Sequence, residues 1–287
     1  MITDSETSSI LLREGYYSII NGYKEPFLDI DKTARASDDR YKEGTSFSDL
    51  YNLFLFDRDL RELTFHYLIK VEALVRTVCS YTFSEQHMGA NDYLKQENFA
   101  SEEEYLSYGL SGYVFNMQIL HNELMKKATR SKRDFVSHYR DNHGWIPLWV
   151  LSNDLTFGNI EHFFNLMKPK EQELVCKRIV EATKAKGSKL GYFNSEEARV
   201  GLDVIVKVRN MCAHDERLYC AKIGKRKNCS YLGFMRYARR YLAWDEFIEF
   251  VSSVVKKVDE YSGESEVLSH VLRQMGFADL EESFFDR

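Results

Sequence analysis

The segment FSDLYNLFLFDRDLRELTFHYLIKVEALVRTVCSY, residues 47–81, decides the fold class of this chain. Its apolar side chains recur at steps of three and four, the period of an α-helix: Leu60, Leu63, Tyr67, Val71, Leu74 and Val78. Ser46 or Ser48 can cap the helix start, because a serine oxygen accepts a hydrogen bond from the amides of the first turn. The segment therefore predicts one long helix with an apolar face.

The rest of the composition also favours helices. Only 3 of the 287 residues are proline, which interrupts helices, and 44% are hydrophobic, enough for a buried core. Further helices are predicted over Leu11–Tyr23, Glu102–Lys127, Glu171–Ala185 and Leu232–Val258. We predict an all-α fold of about ten helices in one domain of residues 1–287, with the helices of residues 1–45 packing on the core.

Charge and cysteine content exclude several classes of protein. The net charge of −5 excludes a polycation that binds nucleic acid over its whole surface, although a local basic patch remains compatible with it. The 5 cysteines are an odd number without a C-x-x-C pair, which argues against a disulfide framework or structural zinc and suits a reducing cytosol. Neither a signal peptide nor a long apolar run is visible. We expect a cytoplasmic protein without a membrane segment, bound metal or cofactor.

The motif KVRNMCAHDERLYC, residues 207–220, stands out within a helix predicted over about residues 195–220. On a helical wheel Asn210, His214 and Arg217 share one polar strip, whereas Arg209 falls on the apolar face. A guanidinium in a core needs a partner, because burying an unpaired charge is very costly. The wheel therefore leaves the surroundings of Arg209 as an open question.

Two partners for Arg209 are consistent with the sequence. One is Glu72, which precedes Arg76 by four residues on the long predicted helix. The other is an anion in a cleft shared with a second subunit. A cluster of arginine, asparagine and histidine is suited to binding a phosphate and transferring a proton. The simpler alternative is that His214 is an ordinary surface histidine and the arginines form helix salt bridges.

Cationic side chains concentrate in three stretches of this otherwise acidic chain. The first is the connector KKATRSKR, residues 126–133. The residues that we expect to follow an RNA backbone belong to the other two: Lys222, Lys225, Arg226, Lys227, Arg236, Arg239 and Arg240. The alternative interpretation is that these side chains are simply solvated.

Four blocks of the sequence carry a family resemblance. They are GYYSIINGYKEPF (15–27), SFSDLYNLFLFDRDLRELTFHYLIKVEALVR (46–76), WIPLWVLSNDLTFGNIEHFF (145–164) and RNMCAHDERLY (209–219). In this order they resemble the bacterial abortive-infection (Abi) family of the D/F type. The spacing from Arg209 to His214, with Asn210 after the arginine, resembles the signature of the HEPN superfamily of helical, nucleic-acid-associated proteins.

That resemblance implies a helical bundle that forms a homodimer, with two motifs facing each other across a cleft. It implies defence against phage through metal-independent cleavage of RNA, in which the ribose 2′-hydroxyl attacks the adjacent phosphate. Carried onto this chain, His214 transfers a proton, Arg209 binds the scissile phosphate and Asn210 orients the motif, with Arg217, Glu72 and Arg76 in support. An antitoxin RNA or protein is a further expected partner. The alternative function is an RNA-binding module that does not cut.

The helical geometry of the motif does not by itself give a complete active site. In an unbroken helix Arg209 and His214 point about 140° apart, so one subunit does not aim both side chains at one phosphate. Pairing of two motifs, or a kink near Arg209, removes the difficulty. The need to bring Arg209 and His214 to one phosphate therefore predicts a dimer, independently of the family resemblance.

Overall fold

The computed structural model describes residues 4–184, 191–224, 228–261 and 265–277. These residues form 13 α-helices, 10 of which contain at least eight residues. No β-strand occurs in them, and extended pairing is limited to two isolated bridges, Leu28 with Tyr41 and Ile223 with Cys229. The prediction of an all-α fold is confirmed.

The helices follow one another with short connections. They are α1 (Asp4–Glu14), α2 (Ile30–Arg35), α3 (Phe47–Gln86), α4 (Glu102–Ser107), α5 (Tyr113–Arg130), α6 (Asp134–His143), α7 (Leu148–Leu151), α8 (Phe157–Leu166), α9 (Pro169–Thr183), α10 (Ser195–Ala213), α11 (Tyr231–Ala238), α12 (Trp244–Glu260) and α13 (Ser265–Met275). A π-helical turn, Tyr17–Asn21, follows α1. None of the helices among the described residues is long and apolar enough to cross a membrane.

Helix α3 confirms the long helix that its periodicity predicts. It begins one residue after Ser46, whose amide and hydroxyl both donate to the carboxylate of Asp49. Most side chains of the predicted apolar face are buried, whereas Leu63 and Leu74 are half-buried at its margin. The apolar period therefore identified both the helix and its packing face.

Two other predicted helices are each interrupted. The span 102–127 contains α4 and α5, because Gly109 and Gly112 between them adopt positive φ angles of 72° and 75°, which are not helical. The span 232–258 contains α11 and α12. There the carboxylate of Glu246 accepts a hydrogen bond from the amide of Ala243, which begins a new helix at Trp244.

The chain divides into two compact units, which we describe separately. The first unit comprises residues 1–66, 208–233 and 248–286. In its core the ring of Tyr23 packs edge-on against Phe54 at 5.5 Å between ring centres and stacks with Tyr219 at 6.2 Å. These rings come from the segment after α1, from α3 and from the segment after α10, so the first unit is assembled from distant parts of the sequence.

The second unit comprises residues 67–207 and 234–247. At its centre Phe83 of α3, Phe99 and Phe163 of α8 lie with their ring centres 5.0–5.3 Å apart, two of the three pairs edge-on. All three rings are buried. Such aromatic clusters remove large apolar areas from water and fix the relative positions of the elements that carry them.

Candidate functional site

The end of helix α10 carries the Arg209–His214 motif. The helix ends at Ala213, and the amide of His214 still donates to the carbonyl of Asn210 at 2.9 Å. Asp215 then turns left-handed with a φ of 59°, and the amide of Glu216 donates back to the carbonyl of Met211 at 3.0 Å. This closing pattern is a Schellman motif, with aspartate in the position that glycine usually occupies.

The predicted extent of the motif helix, to about residue 220, is therefore wrong. The helix stops seven residues earlier, and Arg217 lies beyond it instead of sharing a helical strip with Asn210 and His214. Its guanidinium donates to the carbonyl of Gly22 at 2.6 Å. At the start of α10, Asn194 and Glu197 accept hydrogen bonds from each other's backbone amides, which forms a capping box.

A buried carboxylate explains why the helix stops where it does. Asp57 of α3 has no solvent exposure, and its oxygens accept hydrogen bonds from the amide of Leu218 at 3.1 and 3.2 Å and from that of Tyr219 at 2.8 Å. The hydroxyl of Tyr23 donates to the same carboxylate at 2.8 Å. These donors hold the chain in a non-helical course after the turn, so continuing the helix would leave a buried carboxylate without them.

The charge of Asp57 is met by Arg61, one helical turn further along α3. Arg61 is 3% exposed and donates to Asp57 at 2.7 Å. Burial raises the pKa of Asp57, whereas the positive charge of Arg61 and the hydrogen bonds from Tyr219 and Tyr23 act in the opposite direction. Burial also raises the pKa of Tyr23, so its hydroxyl keeps the proton that it donates.

Arg61 also reaches the turn itself. Its second terminal nitrogen donates to the carboxylate of Asp215 at 2.5 Å, next to His214 in the chain. One buried ion pair thus contacts the chain at two points after His214: Asp57 accepts hydrogen bonds from the amides of residues 218–219, and Arg61 binds the side chain of Asp215. Asp57 and Arg61 are buried and hydrogen-bonded to each other, whereas the Asp215 side chain is 65% exposed, so the pair holds the chain that directly follows His214 from its buried side.

The three motif side chains lie toward solvent at this helix end. Asn210 and His214 are exposed, and Arg209 is half-exposed. The Arg209 guanidinium lies 5.7 Å from the centre of the Phe65 ring, and one of its nitrogens is 3.5 Å from the side-chain oxygen of Asn210. The expectation of an arginine within the apolar face is therefore corrected, since an aromatic ring covers part of the side chain while the remainder is accessible.

The supporting residues on α3 lie in the second unit. Arg76 donates to the carboxylate of Glu72, as the spacing of four residues predicts. Glu72 is buried and Arg76 half-buried. A pairing of Glu72 with Arg209 stays a prediction.

The expected RNA-binding cations have different surroundings. Lys222 donates to the carbonyl of Gln274 at 3.1 Å, and Lys225, Arg226 and Lys227 lie outside the described residues. In the second unit Arg236 is exposed. The guanidinium of Arg239 lies 5.1 Å from the Trp244 ring centre, and Arg240 donates to the carbonyl of Gly191 at 3.1 Å. Their contact with RNA stays a prediction.

Other reactive groups near the motif are not suited to proton transfer at neutral pH. Burial raises the pKa of the Cys212 thiol to about 12, and it raises that of Cys220 as well. Within the described part of the chain, no three His, Cys, Asp or Glu side chains are grouped as metal ligands would be. Histidine is the residue type that most often transfers protons in enzymes, and His214 is the histidine at this helix end.

Asp57 and Arg61 were not predicted as residues of the site, although the sequence contains a pattern that indicates a buried ion pair. They stand four residues apart in α3, the longest helix of the described residues, and Asp57 is three residues before Leu60 on the buried face. Opposite charges at that spacing within a core stripe indicate a buried ion pair. Their partners after the motif, 154–162 residues away along the chain, could not be predicted from a local pattern.

Comparison with known proteins identifies the family. A family model described as Abi-like protein matches residues 9–220, which is most of the chain and includes α3, the motif and the segment that binds Asp57. No curated protein and no solved structure matches the sequence. The chain therefore belongs to the Abi-like protein family, and this membership supports a role in abortive infection as a defence against phage.

Proposed function

We propose that this protein is the RNA-cleaving effector of an abortive-infection system, a metal-independent endoribonuclease of the HEPN type. The observation that carries the proposal is His214, which is exposed at a helix end and close in sequence to Arg209 and Asn210. The buried Asp57–Arg61 pair holds the chain that directly follows it. A surface histidine without a role needs no such support. A catalytic histidine does, because its position must be kept to within about 0.5 Å.

The reaction uses a nucleophile that RNA itself provides. The ribose 2′-oxygen loses its proton and bonds to the adjacent phosphorus, and the bond from phosphorus to the 5′-oxygen breaks. The products carry a 2′,3′-cyclic phosphate and a 5′-hydroxyl. His214 transfers a proton, Arg209 binds the phosphate oxygens as negative charge develops on them, and Asn210 orients the motif.

The functional unit in this proposal is a homodimer. The reaction removes a proton at the 2′-oxygen and delivers one at the 5′-oxygen, and each chain has one such histidine. Two facing motifs contain two histidines and two copies of Arg209. Sedimentation at micromolar concentration is expected to give a dimer, and a single species at the 33.7 kDa of one chain would contradict the paired arrangement.

The basic stretches extend the RNA path away from the motif. Lys222, Lys225, Arg226 and Lys227 follow the motif within 13 residues, and Arg236, Arg239 and Arg240 follow them in turn. Local cations of this kind bind phosphates without reading sequence. An antitoxin RNA or protein that occupies the same surface would keep such an enzyme inactive before infection.

The chemistry of the product tests this proposal. Purified protein is expected to cut single-stranded RNA in the presence of EDTA and to leave 2′,3′-cyclic phosphate ends, since the 2′-oxygen is the nucleophile. A substrate with 2′-deoxyribose at the cleavage position should then remain intact. A requirement for magnesium, or 3′-hydroxyl ends, would contradict the mechanism.

The alternative is a HEPN module that holds a structured or regulatory RNA without cutting it. The half-exposed Arg209 and the exposed Asn210 would serve that function equally. Tight RNA binding with no cleavage, including in extracts of phage-infected cells, would replace the endoribonuclease proposal by this one.

A further inference from the structure

We propose that an open cleft next to the motif binds an unpaired guanine base of the RNA, a specificity site that rests on the proposed function. The cleft lies within the first unit and has a volume of about 510 Å³. One wall is formed by residues 215–217, which directly follow His214, and the other by the segment from Tyr17 to Tyr23. A nucleotide adjoining the phosphate at His214 is therefore close to this cleft.

One side of the cleft offers an aromatic surface. The ring of Tyr17 is 76% exposed, and it makes no hydrogen bond, ion pair or ring contact with any part of the chain that the structure describes. It belongs to a π-helical turn, a rare conformation that is frequent at functional sites. Proteins recognise unpaired RNA bases by stacking them on such rings, which favours a base as the ligand.

The charged side chains of the cleft offer both a hydrogen-bond acceptor and hydrogen-bond donors. The carboxylate of Asp215 is bound by Arg61 at 2.5 Å, and the guanidinium of Arg217 donates to the carbonyl of Gly22 at 2.6 Å. Glu216 is exposed, and its carboxylate has no partner among the described side chains. Glu216 is thus a carboxylate available to accept hydrogen bonds from N–H groups, and Arg217 beside it keeps its positive charge and its other N–H donors.

Guanine fits this acceptor better than the other bases do. Its Watson–Crick edge presents the N1–H and the 2-amino group side by side, so both oxygens of Glu216 can accept at once, and paired hydrogen bonds to a carboxylate are strong. The Watson–Crick edges of adenine, cytosine and uracil each present one donor position next to an acceptor, so none of them donates to both carboxylate oxygens at once. In this arrangement Tyr17 stacks on the base and Glu216 selects guanine.

Equilibrium binding of short RNAs tests this proposal. The full-length chain with His214→Ala is used so that RNA is not cut, and the probes are fluorescent adenosine decamers with guanosine, inosine or adenosine at one central position. Guanosine is expected to bind about tenfold more tightly than adenosine, with inosine intermediate, because inosine lacks the 2-amino group. Adding Glu216→Gln should remove the guanosine preference.

Variants of the two neighbouring tyrosines separate stacking from a general loss of structure. Tyr17→Ala should weaken binding of the guanosine probe by roughly tenfold, and Tyr17→Phe should retain it, since the ring does the stacking. Tyr16 is the matched control, because it is 60% exposed and adjacent but does not line the cleft. Tyr16→Ala should bind like its parent.

Equal binding of the three probes, or a guanosine preference that survives Glu216→Gln, would overturn the proposal. These outcomes are independent of cleavage. If wild-type protein cuts RNA but shows no base preference, the guanine site is wrong and the proposed function stands. If the preference is present but no RNA is cut, the guanine site stands and the endoribonuclease function is wrong.

Discussion

Replacement of Asp57 by alanine is expected to lower the free energy of unfolding by about 3–5 kcal/mol, because it breaks a buried ion pair by removing one partner. Arg61, at 3% exposure, would lose its buried carboxylate partner, and the amides of Leu218 and Tyr219 would lose their acceptor. Each of these losses leaves a polar group without its bond in a place that water does not reach. The segment after His214 should therefore lose its fixed course.

Asp59 provides the matched control for this prediction. It lies on the same helix, but its carboxylate is 45% exposed and pairs at the surface with Lys257 at 2.8 Å. Exposed pairs contribute at most about 1 kcal/mol, so Asp59→Ala should change stability little. Chemical denaturation measures both variants, with Asp57→Asn as a milder change in case the alanine variant does not fold. Similar losses at the two positions would contradict a special role for Asp57.

His214→Ala is expected to reduce the rate of RNA cleavage by about 10²–10⁴-fold, the usual contribution of a side chain that transfers a proton in the transition state. His214 is exposed and its side chain fills no core, so the variant should unfold at the same denaturant concentration as wild type. Loss of activity at unchanged stability is the result that separates catalysis from folding.

His143 is the control for His214. It is also an exposed histidine at a helix end, since it is the last residue of α6. His143→Ala should cut RNA at the wild-type rate. If both variants keep full activity, proton transfer by His214 is wrong, and if both lose it equally, the effect does not arise from the motif.

The fold class could be predicted because its signal is local. The apolar period of α3 extends over many turns, and both the helix and its buried face follow from it. Breaks within a helix were harder to predict. Gly109 and Gly112 are such breaks, yet a glycine within a helical pattern is often tolerated, and only their positive φ angles show that the helix ends there.

The end of the motif helix could not be predicted for a different reason. The residues after His214 continue a helical pattern, and nothing local opposes it. The helix stops because Asp57, 161 residues away from Leu218, binds the amides of the following segment. A helical wheel takes no account of tertiary contacts, so it predicted a polar strip shared by Asn210, His214 and Arg217. Because the helix ends at Ala213, Arg217 is not part of such a strip.

The identity of the motif residues could be predicted from the sequence, but the surroundings of Arg209 could not. Spacing and family resemblance indicated Arg209, Asn210 and His214, and the structure places all three at one accessible helix end. The wheel also predicted that Arg209 would lie in the middle of an apolar face. In the structure Phe65 covers part of its guanidinium, so the residue is neither fully buried nor fully solvated.

The most direct test of RNA cleavage by this protein measures total RNA in a bacterial host after induction of the protein. Wild type should degrade RNA and arrest growth, as the abortive-infection family membership and the motif together predict. His214→Ala, expressed at the same level, should leave RNA intact and allow growth. Intact RNA with wild type during induction and phage infection, or equal degradation with His214→Ala, would contradict the claim that this helix end cleaves RNA.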